Sequence, residues 1–173
     1  MMKPTYLFCL LFCFVSCAQE VNSIKNEYPP RHIGDIEFDP KTDNPDFELC
    51  HPEYLFQYFN LGEGLEFEGE HIALEKEFRE KYNSENVKKE SGLIRIRFVV
   101  NCKGETDRFR ILGSDENYQE KEFDKSITNQ LLEITKNLTG WMRLYNPKTE
   151  KGADYYQYLI FKIKDGKILK ILP

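Results

Sequence analysis

"IRIRFVVNCKGETDRFRIL" occupies residues 94–112, and its period decides the fold. Ile94, Ile96, Phe98 and Val100 alternate with Arg95, Arg97 and Val99; Phe109 and Ile111 then alternate with Arg108, Arg110 and Leu112. Residues two apart share a face of a strand, so the stretch predicts two strands, each apolar on one side. Gly104, inside "NCKGE", supplies the positive φ that a short hairpin loop needs. The four arginines fall on the polar face. They are read as solvated or paired with acidic residues of neighbouring strands. The functional alternative is a basic strip for an acidic partner or lipid headgroups.

The apolar face of the ribbon needs a cover, and two stretches have the helical period to provide one. In "GEHIALEKEFREKYN" (69–83), Ala73, Leu74, Phe78 and Tyr82 form a stripe, with Glu75/Arg79 and Glu77/Lys81 as ion pairs one turn apart. In "DENYQEKEFDKSITNQLLEITKNLTGW" (115–141), Phe123, Ile127, Leu131, Ile134 and Leu138 recur at steps of four, four, three and four. Asp124 stands where an N-cap belongs, and Gly140 is expected to end this helix. Leu131 and Ile134 are expected to pack on Phe98, Val100, Phe109 and Ile111.

After a polar turn at "NPKTEKGAD" (146–154), "YYQYLIFKI" (155–163) is apolar or aromatic on both faces, as in a central strand. "KDGK" (164–167) is a tight turn through Asp165-Gly166, and "ILKIL" (168–172) a short closing edge strand. Upstream, "DFELCHPEYLFQYFN" (46–60) is dense in aromatics. Tyr54, Tyr58 and Leu61, or Leu55 and Phe59, would share helical faces. Residues 18–45 mix Pro, Asp, Asn and charge without a period and are read as a tether, with one extended piece near Ile33 to Phe38.

The first residues carry a different signal. Lys3 precedes an apolar run from Tyr6 to Val15, and Ser16-Cys17-Ala18 leads back to polar residues. That sorting is a secretory signal, and the run is too short to span a bilayer. "FVSC" (14–17) resembles the lipobox of bacterial lipoproteins, which implies that Cys17 is acylated and becomes the N-terminus. Phe14 departs from the Leu usual in that motif. The expected organisation is a signal at 1–16, a tether at 17–45 and one domain at 46–173. Cys9 and Cys13 leave with the signal. Cys50 and Cys102 remain, and in an oxidising compartment they are expected to pair.

In order, the elements are helix, strand, Gly turn, strand, helix, Trp, strand. This resembles the C-terminal domain of the energy-transducing protein TonB over residues 70–163. The resemblance is carried by 94–112, by "FDKSITNQLLEITKNLTGW" (123–141) and by 155–163. It implies an α+β fold, a small antiparallel sheet packed by two helices. It also implies contact with a segment of an envelope protein, such as an outer-membrane transporter, by strand addition. The chain departs from the family pattern after the helix, where Trp141-Met142-Arg143-Leu144 stands, and it adds a terminal hairpin.

A formal charge of −5 argues against a nucleic-acid partner. His32, His51 and His71 show no metal-ligand spacing, and no nucleophile motif or phosphate loop is present. No catalysis, metal or cofactor is therefore expected. The expected function is that of a lipid-anchored, periplasm-facing binding module, on the outer membrane rather than the inner, with Tyr155, Tyr156 and Tyr158 meeting the partner beside a strand edge. The other reading of these tyrosines is that they half-bury in the sheet. A structural envelope scaffold is the alternative.

Overall fold

The computed structural model describes residues 36–53, 55–57, 65–146 and 151–172. The order is β1 (Leu55–Gln57), α1 (Glu70–Lys81), β2 (Gly92–Val100), β3 (Thr106–Ser114), α2 (Lys125–Lys136), β4 (Leu144–Asn146), β5 (Lys151–Lys164) and β6 (Lys167–Leu172). Fourteen-residue β5 is the spine. β2 runs antiparallel along one side of it, from Tyr155 to Ile163, and β3 pairs antiparallel with β2. On the other side β1 takes Asp154–Tyr156, running parallel, and β6 takes Ile160–Lys164, running antiparallel. β4 pairs with the first residues of β5. The fold is α+β with a mixed open sheet of six strands and two helices.

The predicted hairpin is present, with a register shift between Arg97 and Val99, and Ile94, Ile96, Phe98 and Val100 are fully buried under the helices. Leu74 and Phe78 of α1, and Ile127, Leu131 and Ile134 of α2, close that core together with Tyr155, Leu159, Phe161 and Ile163 of β5. Trp141 packs edge-on against Phe67 and Phe98. Asp124 caps α2 by accepting from the Ser126 amide. At Asp165-Gly166 both residues have positive φ, and a Cβ on Gly166 would stand 2.8 Å from the Lys88 carbonyl. No side chain fits at Gly166.

The opposite face of the sheet carries a second, smaller core. Val99 and Tyr156 meet Ile36, with Phe47, Leu49 and Leu55 packed around them. Residues 36–53 thus form a strap across one end of this face. The strap is fastened by polar links as well. Asp43 takes both terminal nitrogens of Arg110 at 2.7 Å, the Ile36 amide donates to the Tyr156 hydroxyl, and Asn101 donates to the Glu48 carbonyl.

Four expectations change. Residues 36–45, read as the end of the tether, are docked on the sheet, with Ile36 and Asp43 buried. Residues 55–57 form a parallel strand and not part of a helix, because backbone pairing with β5 outweighs a four-residue aromatic spacing. That pairing makes the sheet mixed. α2 stops at Lys136, capped by Asn137, so Leu138 to Gly140 continue the apolar stripe outside the helix. Tyr58, Phe59 and Leu61, like residues 1–35, lie outside the described residues.

Candidate functional site

The three tyrosines expected to meet a partner are not at an edge. β5 is paired on both sides, so their backbone is committed to the ladder. Tyr155 is fully buried in the helix-side core and its hydroxyl donates to the Met142 carbonyl. Tyr156 is equally enclosed beneath the strap, with the Arg97 guanidinium 4.2 Å from its ring centroid. Tyr158 is half-buried with Arg95 4.8 Å above its ring. The contact role given to Tyr155 and Tyr156 is thereby corrected: their area is spent on the cores of this chain.

The arginines of the hairpin are not merely solvated. Arg95 and Arg97 lie on tyrosine faces, an arrangement attractive through the ring quadrupole. Arg97 also donates to Gln57 at 3.2 Å, Arg110 holds Asp43, and Arg108 reaches the Ile36 carbonyl at 3.5 Å. Burial raises the Asp43 carboxyl, but the Arg110 hydrogen bonds, the Asp39 amide and the nearby positive charge outweigh it and hold Asp43 below its ordinary range. The same hydrogen bond lifts Arg110 further above its own. Acidic partners for these arginines were expected; aromatic ones were not, since sequence spacing does not show which strand will lie beside β2.

Cys50 and Cys102 are joined, with Cα atoms 6.0 Å apart. Beside them Asp154 is fully buried. One oxygen accepts from the Cys102 amide at 2.8 Å, the other from the His51 amide at 2.6 Å. Asp154 therefore clamps, by backbone hydrogen bonds, the same two segments that the bridge links covalently. Nothing in "KGADYY" marks this aspartate in advance, because its partners lie 52 and 103 positions away.

Among the described strands β3 pairs only with β2 and β6 only with β5, so each leaves an edge open. The second side of β6 faces outward. α1 runs beside it and is tied to it at both ends: the His71 imidazole meets the Ile171 carbonyl at 2.7 Å, and the Tyr82 hydroxyl donates to the Gly166 carbonyl at 2.8 Å. Between these ties lies a groove of about 450 Å³. Its floor includes Phe78 and Ile171, and its rim Arg79, Leu169 and Lys170. At Leu169 the ladder slips, since Lys162 faces Lys170 while Ile163 faces Ile168. Leu169 therefore has no partner on β5 and is 62 % exposed. The sequence placed "ILKIL" at an edge; the groove depends on α1, nearly a hundred residues earlier.

Comparison of the chain with protein-family models, with curated proteins and with solved structures finds no match.

Proposed function

We propose that this chain is a non-catalytic binding module of the bacterial cell envelope that captures an extended protein segment along β6. The observation that carries the reading is the groove between α1 and the outward side of β6. An added strand there would hydrogen-bond to main-chain groups of β6, while Phe78 and Ile171 offer an apolar floor for alternate side chains. The ties at Ile171 and Gly166 limit the contact to a few residues, so the captured segment is short. The lysines and the bulge of β6 disfavour pairing with an identical edge, which keeps the module from self-assembly. The TonB-like order of elements supports the same mode of contact, with an outer-membrane transporter as the partner it suggests.

In this reading Cys17 is acylated, residues 1–16 are removed, and the module faces the periplasm from the outer membrane. Among the described residues no helix is long and apolar enough to cross a membrane.

Leu169→Pro tests strand addition. It deletes an N–H from β6 at a residue that faces no partner on β5, and the side chain lost is exposed. Partners are first captured from an envelope extract by the wild-type chain, then challenged with the variant. The expected outcome is an unchanged far-ultraviolet spectrum and lost capture. A folded variant with full affinity refutes strand addition and moves the scaffold reading ahead.

A further inference from the structure

Four lysines crowd the β5–β6 hairpin. Lys162 faces Lys170 and Lys164 faces Lys167 across the ladder, and all four side chains are exposed. Directly opposed residues in an antiparallel pair have Cα atoms about 4.5–5.5 Å apart, and like charges so placed are destabilising. The alternation fixes the face. Ile163 and Ile171 are buried against the helices, so the lysines next to them in sequence, Lys162, Lys164 and Lys170, belong to the opposite, open face, as does Lys167 through its pairing with Lys164. The chain is acidic overall, yet it concentrates positive charge here at a cost to its own stability.

Edge protection accounts for Lys167 and Lys170. It does not account for Lys162, paired with Leu93 on one side and Lys170 on the other; Lys164 lies one residue beyond the last β2 partner, Ile163. Neighbouring acids do not cancel the patch. Glu116 lies 3.7 Å from Lys164, but both side chains are more than half exposed and such a pair is weak. The Asp115 carboxylate is already engaged by the amides of Asn117 and Gln119, and Asp165 sits in the turn. Among the described residues, Lys162, Lys167 and Lys170 make no ion pair. Leu169, exposed on the same short strand, adds an apolar side chain beside the charges.

We propose that the open face at the β5–β6 hairpin docks on the headgroup surface of an anionic phospholipid bilayer. A two-by-two array of ammonium groups on one face of the hairpin matches a field of phosphates. A single acidic peptide strand running along β6 would meet one row of the array, not both. Juxtamembrane lysines gain affinity from such a surface, each worth about fivefold, within roughly one Debye length. Leu169 inserts at the boundary of the acyl region. Lys167, Leu169 and Lys170 also border the groove beside α1, but Lys162 and Lys164 do not, so the proposal does not depend on strand addition.

The test is cosedimentation of the full chain with phosphatidylcholine vesicles, with and without phosphatidylglycerol. The quantity read is the ratio of the two affinities, compared with that of the chain changed to Gln at all four lysines, since Lys3 beside the apolar N-terminal run also favours the anionic vesicle. The expected result is a ratio well above one that falls about fivefold for each Lys→Gln change at 162, 164, 167 or 170, and collapses in high salt. Lys76→Gln, on the exposed side of α1, should leave the ratio unchanged. The hairpin variants should melt no lower than the wild type, because an opposed like-charge pair is relieved. A ratio near one for the wild type overturns the proposal, as does a ratio insensitive to the four lysines. So does capture of oligoglutamate by the wild type without preference for anionic vesicles, which would assign the patch to acidic protein.

Discussion

Removing the bridge, as Cys50→Ala with Cys102→Ala, should lower the stability of the fold by about 4 kcal/mol. The cysteines are 52 positions apart, and closing a loop of that length removes about 14 cal/mol/K of entropy from the unfolded chain in the loop-closure model. Native geometry should change little. Asp154 still holds the two segments by the Cys102 and His51 amides, Arg110 still holds Asp43, and Asn101 still binds the Glu48 carbonyl. The strap therefore stays docked, and unfolding stays a single transition. Urea titration followed by circular dichroism reads both quantities, with the loss appearing as a lower midpoint and a slope no smaller than the wild type's, because the freed unfolded chain exposes more surface. A loss below about 1 kcal/mol would contradict the entropic account. A reduced slope would show instead that the strap detaches first and that Asp154 and Arg110 do not hold it alone.

Two other outcomes follow from the geometry. Leu131→Ala, at a side chain with no exposure between the second helix and the sheet, should cost about 2–5 kcal/mol in the same titration; a loss near 0.5 kcal/mol would place it at a surface. Asp43 has its carboxyl held below the ordinary value, so its contribution is complete at neutral pH and is lost as the pH falls through the depressed value, below about pH 4. The Asp43→Asn chain should be less stable at neutral pH and converge on the wild type in acid; parallel stability curves across that window would exclude the linkage.

The elements legible in the sequence are those whose signal is local. The alternation at 94–112 gave the hairpin and its buried side because period two maps directly onto the two faces of a strand. The stripe from Phe123 to Leu138 gave the second helix, Asp124 its cap, and Asp165-Gly166 the last turn. Cys50 and Cys102 were expected to pair from their even count and the signal-like first residues, and their bond is present.

What failed to show was set by neighbours distant in sequence. Tyr155 and Tyr156 read as surface-capable aromatics, since a tyrosine suits a core with a hydrogen-bond partner as well as an interface. Only the docking of residues 36–53 on one face, and of the helices on the other, buries them. The strap itself is irregular and polar, without a period to betray it; its attachment rests on Asp43, Asn101 and Asp154, single residues whose partners are many tens of positions away.

The groove along β6 and the lysine array are likewise products of pairing. "YLIFKIKDGKILKILP" shows lysines spaced by two or three; the two-residue turn sets Lys164 against Lys167, but only the slip at Leu169 brings Lys162 against Lys170. Local periodicity thus determined which residues face inward on each element. The order of the strands, through long-range hydrogen bonding and burial, decided which edges stayed open and which charges came together.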